Sequence, residues 1–505
     1  MRLVQLGLGL GMVGALAIAC DEQLEQRAGP DGGGAVGGGP GADAGLGLGG
    51  SFGGGPIMDE PTGQWTEQAQ AAQQALAPDQ VAGCEQMTGH GSEVDVSVAE
   101  SGGFASPAVA GELMRAQVAP IPQLLRVQDF LNYYAEPSAD TGLLVPGSAS
   151  APTVLTQLRQ VAGNQFDLLV LVHAPSVPPP ANQHVVLIID DTLSMGDAQD
   201  PSSPLGRAKQ VAHAIASHLP SEAQLSLRTV SGASPSSIDE VSGVDGEASI
   251  TDALATVLQD PTLVLGAGDR AFLLSDGKDD PARIPATALS ELTAQGARLS
   301  AISVGAATEL PDRFFRALAR TGGGHFVHAG SSQEVEYVGA MVPEMLSVAL
   351  YNVSVSLQLP WHFTLTRGAE QELTASFDPD AATDLSSDGV QVFLFRLQTC
   401  SEELAHTSST EPLSVVVKYK TTAWGNVEST EPSSTTSPEL FDASKPALEA
   451  QRLRAVMTVA EALRALDRAQ LQAAKAELQE VSKSLPAQSP LVQLNEALAS
   501  HPLLL

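Results

Sequence analysis

Positive charge is scarce in this 505-residue chain: 26 Lys and Arg stand against 58 Asp and Glu, a formal net charge of -32. The shortage argues against a nucleic-acid partner, whose phosphates are held by Lys and Arg. It suits a soluble, self-repelling protein, and one able to use cations. Cysteine is scarce as well. Of three, Cys20 ends an apolar leader, which leaves only Cys84 and Cys400 beyond it. In an oxidising compartment these two are free to pair, closing a very long loop, or to stay separate; sequence holds no geometry that decides. No later run reaches the roughly 18 apolar residues of a membrane-spanning helix. Catalytic signatures are missing too: there is no H-E-x-x-H, no P-loop and no nucleophile elbow. A hydrolase has no nucleophile–base pair behind it, and the expectation is a protein that binds, not an enzyme.

What is present starts at the N-terminus. "MRLVQLGLGLGMVGALAIAC" sets Arg2 before an apolar run from Leu6 to Ile18, then a small residue before Cys20. This is the architecture of a secretory signal peptide over 1–19. "GLGMVG" inside it fits G-x-G-x-x-G but follows no strand, so it is no dinucleotide site. "AIAC" resembles the lipobox of bacterial lipoproteins, with Ala17 where that family usually has Leu. The resemblance implies cleavage before Cys20, lipidation of its thiol and a lipid-anchored place in a bacterial cell envelope. An ordinary cleaved signal with a chance cysteine is the alternative. Asp21 resembles the inner-membrane retention signal of enteric lipoproteins, a rule that varies between lineages, so inner or outer membrane stays open. Residues 20–56 continue as a Gly-rich linker ("GGGAVGGGPGADAGLGLGG"), a flexible coil spanning on the order of 30 Å.

The length allows two or three domains with cores of their own. Residues 57–180 are mixed. "EVDVSVAES" alternates like a half-buried strand, and "LLRVQDFLNYYAEP" places Leu124, Val127, Phe130, Leu131 and Tyr134 on one helical face. "FDLLVLVHA" is a strand leading to the Pro-rich "PSVPPP". Over 181–350, apolar strands alternate regularly with amphipathic helices. That predicts an α/β fold: a doubly wound, mostly parallel sheet covered on both faces, with ligands beyond the carboxyl ends of its strands. Residues 351–425 read as a β-rich domain ("NVSVSLQL", "ELTASF", "VQVFLFRL", "LSVVVKYK"). A polar loop follows over 426–446, and 447–505 is helical, with a break near Asp467.

The candidate site is an acidic edge. "VVLIIDDTLSM" delivers Asp190 at a strand's carboxyl end, with Thr192 and Ser194 at alternate positions beyond it. "AFLLSDG" delivers Asp276 at a later strand end. Two carboxylates and two hydroxyls make a hard, all-oxygen set suited to Mg2+ or Mn2+ and not to Zn2+. A turn with helix-capping chemistry is the plainer reading of "DDTLSMGD". His213 and His218 lie five apart on one helix, poor for shared ligation, and His325 and His328 read as structural.

These motifs resemble the von Willebrand factor type A domain, whose metal-ion-dependent adhesion site reads D-x-S-x-S. The resemblance implies metal ligation by Asp190, Thr192 and Ser194, with Asp276 as the later family aspartate. "GEASITDAL" is similar to the family's G-G-T-x-I-x-x-A-L element, with Ile250, Ala253 and Leu254 in place. Ala248 falls where the family has a metal-proximal threonine, and neither Ser249 nor Thr251 is in register to replace it. "RVQDFLNYY", the Pro-rich connector and the tail make the whole similar to bacterial envelope proteins of the YfbK-like type, in which an N-terminal segment precedes the type A domain and a further domain follows it. The resemblance implies that the strands on either side pack together here, with the type A domain as an insertion. The expected partner is an envelope or extracellular protein that completes the metal's shell with a carboxylate. The rival is a metal-independent scaffold or assembly factor.

Overall fold

A computed structural model describes residues 93–97, 105–122, 125–135 and 151–505, the last span excepting 245, 247, 278, 280–282, 311, 360–362, 368–382, 400–412, 423–424, 431–432, 436–447 and 487–488. The leader, Cys20, the Gly-rich linker, Cys84, Cys400, Leu124 and the strand read in "ELTASF" lie outside the described residues. The described chain opens with β1 (Glu93–Ser97), α1 (Ala105–Arg115), α2 (Val127–Tyr134) and the hairpin β2 (Thr153–Ala162) and β3 (Gln165–His173). As its spacing requires, α2 buries Val127, Phe130, Leu131 and Tyr134.

The alternating region forms a five-stranded sheet. Its elements are β4 (His184–Ile189), α3 (Pro204–His218), β5 (Gln224–Thr229), α4 (Ile250–Leu258), β6 (Arg270–Ser275), α5 (Ala286–Ala294), β7 (Arg298–Ser303), α6 (Asp312–Gly322), β8 (Gly323–His328) and α7 (Ser332–Leu346). The strand order is β5-β4-β6-β7-β8, and every pairing is parallel. Both faces of each inner strand are buried, which is why these strands read as unbroken apolar runs. Val185, Leu187 and Ile189 join Leu205, Val211 and Ile215 of α3 and Val338 and Val342 of α7. Val186 and Ile188 face the other way, onto Ile250 and Leu254 of α4, Leu289 of α5 and Phe314 and Phe315 of α6. Ser203 caps α3, its Oγ accepting from the Gly206 N–H at 2.9 Å, with Pro204 in the first turn. The glycine run after α6 closes it: Gly323 has φ +64°, and a Cβ on Gly324 would stand 2.2 Å from the Leu299 carbonyl.

Beyond α7 come β9 (Val348–Gln358), β10 (Phe363–Arg367), β11 (Thr383–Ser386), β12 (Val390–Thr399) and β13 (Leu413–Lys420). The stretch read as a polar loop carries two short strands, β14 (Glu428–Ser429) and β15 (Ser433–Thr435), both paired to β13. Three helices close the chain: α8 (Leu448–Ala465), α9 (Arg468–Ser482) and α10 (Pro490–Ala499). The break between α8 and α9 is physical: Leu466 has φ +50°, and Asp467 caps α9 through the Gln470 N–H at 2.9 Å.

Strands from both sides of the parallel sheet share two antiparallel sheets. One runs β1-β9-β13-β14, the other β10-β12-β3-β2. Phe166, Leu168 and Val170 of β3 and Phe393 and Phe395 of β12 meet Val353, Val355, Val415 and Val417 of the opposing sheet. Leu169, Leu171, Val392 and Leu394 point the other way, onto α2, α8, α9 and α10. The result is three layers: sheet, sheet, helices. Buried ion pairs pin this body to the parallel domain. Arg298 meets Asp384 at 2.7 Å, both about one-tenth exposed or less, and Arg316 meets Asp129 at 3.0 Å. Among the described residues no helix is long and apolar enough to cross a membrane.

Candidate metal centre

β4 and β6 are neighbours in parallel register, Ile189 opposite Leu274. The chain leaves β4 toward β5 on one side and returns past β4 to β6 on the other. This is the switch point of a doubly wound sheet, where a crevice opens beyond the strand ends. Asp190 and Asp276 emerge there side by side, 1% and 5% exposed. Room for Asp276 comes from Gly305 on the next loop, where an added Cβ would come within 3.1 Å of the Asp276 Cβ.

The Asp190 carboxylate organises the loop. Its Oδ1 accepts from the Thr192 N–H at 3.0 Å and the Thr192 hydroxyl at 2.7 Å. Its Oδ2 accepts from the Ser275 hydroxyl at 2.6 Å. A carboxylate offers about four acceptor positions, so one is left. The Thr192 Oγ1 also lies 3.2 Å from the Ser194 Oγ, so three oxygen-bearing side chains line one side of the loop. A 3-10 turn over Leu193–Met195 sets this spacing. Met195 is buried beneath, while Leu193 stands out, 66% exposed. Burial raises the Asp190 carboxyl above its usual range against the hydrogen bonds from Ser275 and Thr192, and the charge on Asp276 pushes it the same way.

Asp191 turns away from this set. Its carboxylate accepts from the Ser231 N–H at 2.9 Å and the Ser231 hydroxyl at 2.6 Å, tying the loop to the end of β5. Asp191 and Ser275 are site-building residues that motif spacing did not single out. Each stands directly beside a candidate ligand, which is the only signal the sequence offers.

On the third loop, the described hydroxyls beside position 248 are engaged elsewhere. Ala248 packs against the apolar cluster under α4. Ser249 caps α4, accepting from the Asp252 N–H at 3.1 Å. The Ser249 hydroxyl and the Thr251 N–H both donate to Asp279 Oδ2, at 3.1 and 2.9 Å. Asp279, from the acidic stretch after β6, therefore takes up the two neighbours that stood nearest to replacing a threonine at 248.

The donor set is carboxylate and hydroxyl throughout, the chemistry of a hard divalent cation. With its hydroxyl proton on Asp190 and the Ser194 hydroxyl donating to it, the Thr192 oxygen keeps one lone pair for an ion. Two adjacent buried carboxylates also favour a cation between them. Among the described residues no cluster of three or more His, Cys, Asp or Glu side chains is arranged for a metal, so any ion here depends on Thr192, Ser194 and water. The histidines lie elsewhere. His213 is half-exposed beside Asp239 at 3.1 Å, and His218 contacts its own helix at the Ala214 carbonyl. His325 meets Ser386 at 3.0 Å, and buried His328 meets Glu112 at 3.1 Å.

A scan against protein-family models finds no match, and neither does a search of curated proteins. Solved structures with partial similarity include the pilus adhesin SpaC of Lactobacillus rhamnosus GG in its open conformation, at 10% identity and TM-score 0.25, covering 56% of this chain and 47% of that one. Proximal thread matrix protein 1 of the mussel byssus, in a form with a zinc-occupied MIDAS motif, has 18% identity and TM-score 0.25, covering 34% and 48%. The manganese-loaded TRAP protein of Plasmodium vivax has 11% identity and TM-score 0.23, covering 53% and 97%. The chain spans about half the length of the adhesin and of the thread protein. These likenesses are too distant to carry an argument; the fold class rests on the sheet order and parallel register.

Proposed function

We propose that this chain is a von Willebrand factor type A protein that holds a divalent cation, Mg2+ or Mn2+, on Asp190, Thr192, Ser194 and Asp276. The ion would present an open position to a carboxylate of a partner protein, in the envelope or outside it. The observation that carries the reading is the Asp190–Thr192–Ser194 oxygen ladder beside Asp276 at the switch point. Exposed Leu193 supplies an apolar rim next to the ion. The role is binding, not catalysis, with no nucleic acid involved. A lipid on Cys20 would tether the protein to a bacterial envelope membrane, in the manner of YfbK-like envelope proteins; that part is supported by the leader's sequence alone. The test is capture of a glutamate-bearing peptide on immobilised protein. Retention in Mg2+ and release by EDTA are expected, and retention undiminished in EDTA would contradict the reading.

One observation favours a second reading, a metal-independent scaffold. Ala248 supplies no oxygen, and Ser249 and Thr251 are engaged by Asp279. Under that reading Ala248→Thr changes no partner affinity. Under the first it tightens metal binding, and partner binding with it.

A further inference from the structure

Helix α1 packs on two sides. Ala110 and Met114 join the helical core of the layered body. Val109, Glu112 and Leu113 share another face, as residues three and four apart must, and that face meets the parallel domain. There Val109 and Leu113 cluster with Ala307 and Leu310, from the loop between β7 and α6. Glu112 is the polar centre of the contact. Its Oε1 accepts from the Ala307 N–H at 3.1 Å, and its Oε2 lies 3.1 Å from Nε2 of His328, a wholly buried ring at the end of β8. The other ring nitrogen of His328 lies 3.3 Å from the Ser303 hydroxyl, at the end of β7. Gly330 leaves the room this needs: a Cβ there would stand 2.4 Å from the Glu112 Oε2. Against burial, the largest single influence, the His328 bond and charge, the Ala307 N–H and the Arg207 charge bring the Glu112 carboxyl below its usual range.

The loop that Glu112 grips also walls the metal centre. Ala307 opens a short 3-10 turn, and Ala306 before it has no side-chain oxygen to cap it. Glu112 supplies that acceptor from α1. Two residues before Ala307, the Gly305 backbone packs on Asp276. One residue earlier still, Val304 donates its N–H to the Ser275 carbonyl at 2.9 Å. Ser275 is the residue whose hydroxyl donates to Asp190. Arg207 of α3 fixes the near end of this segment, donating to the Val304 carbonyl at 2.7 and 3.0 Å. Glu112 fixes the far end. Between the two anchors lies the backbone that backs Asp276.

We propose that Glu112 is a positioning residue for the metal centre: by holding Ala307 it keeps Gly305 against Asp276, so that the docking of α1 sets where the Asp276 carboxylate stands. This rests on the reading of Asp276 as a cation ligand. Glu112 touches no ligand atom, and its effect passes through the backbone of 304–307. The layered body thus takes part in the site although none of its side chains reaches the ion. By linkage, a displacement of α1 changes the affinity for the cation, and a bound cation steadies α1 in return.

Two measurements on the whole chain test this, with melting curves to confirm folding. The first needs no metal: amide hydrogen exchange over 274–279, a stretch that Glu112 does not touch. Glu112→Ala should speed exchange there. Glu112→Gln, whose side-chain oxygen can still accept from Ala307, should speed it less. Asp467→Ala, which removes the cap of α9 elsewhere in the layered body, should leave it unchanged. The second is calorimetric titration of Mn2+. Glu112→Ala should weaken binding about tenfold, the lower end of the effect of groups that orient a metal ligand. Glu112→Gln should weaken it less, and Asp467→Ala not at all. Unchanged exchange over 274–279 in folded Glu112→Ala would overturn the proposal, as would unchanged Mn2+ affinity; Glu112→Gln decides by the same two measures if Glu112→Ala does not fold. No Mn2+ binding by the wild type would instead contradict the metal reading, and exchange alone would then decide whether Glu112 holds the Asp276 loop.

Discussion

The two ends of the parallel sheet are built on opposite plans. At the carboxyl ends stand Asp190 and Asp276, both buried, with Asp190 held by neutral hydroxyl and amide donors. At the amino ends stand Arg270 and Arg298, also buried. Arg298 is matched by Asp384. Arg270 donates to the Met345 and Asp269 carbonyls, and burial pulls its guanidinium down to about 10. One end satisfies its cations within the chain, Arg298 by a carboxylate and Arg270 by backbone carbonyls, and serves as a joint to the layered body. The other sets two acids side by side, where the proposed cation would sit. Burial alone does not single out a candidate site; burial of like charges in contact with hydroxyls does.

Breaking the joint should have the largest effect. Asp384→Ala strands a buried guanidinium, and removing one partner of such a pair costs about 3 to 5 kcal/mol. Chemical denaturation should show that loss, while Asp276→Ala, which relieves like-charge repulsion, should leave the midpoint unchanged or raised. Next comes the port itself. Restoring an oxygen on the third loop with Ala248→Thr should tighten Mn2+ binding on the order of tenfold, the scale on which a supporting ligand acts. Unchanged affinity would mean that the apolar packing of residue 248 fixes the loop too far from the ion.

Smaller is the cap. Ser249→Ala removes an N-cap of α4 and a donor to Asp279, and should cost about 1 kcal/mol. The gentlest effect is on pH dependence. Glu344 has its folded value raised from 4.5 to about 7. It therefore contributes stability that is full below its unfolded value and lost as pH rises through about 7. Glu344→Gln should flatten the fall in melting temperature between about pH 5 and pH 8; an unaltered profile would show that the carboxyl is better solvated than its setting implies.

Much of the architecture was legible because burial on both faces leaves unbroken apolar runs, as in "VVLII" and "FLLS". The helix break at Asp467 was legible because a capping residue marks it. The hairpin strand β2 was not. Among the described residues it lies at a sheet edge and pairs only with β3, so polar Thr156 and Gln160 are tolerated along it. α1 escaped notice as well, since its buried face uses Ala108 and Ala110 beside Val109 and Leu113, and small residues draw no stripe. At the site, spacing pointed to Asp190, Thr192, Ser194 and Asp276. Spacing could not show that Asp191 turns away to Ser231, or that Asp279 takes up Ser249 and Thr251. Those outcomes depend on tertiary hydrogen bonds between loops distant in sequence.

The most direct measurement is a calorimetric titration of Mn2+ and Mg2+ into metal-stripped protein, alone and with an acidic peptide, beside Asp190→Ala. The account predicts one saturable site, tightened by the peptide and lost in Asp190→Ala. No saturable binding under either condition, or binding that survives in Asp190→Ala, would contradict it.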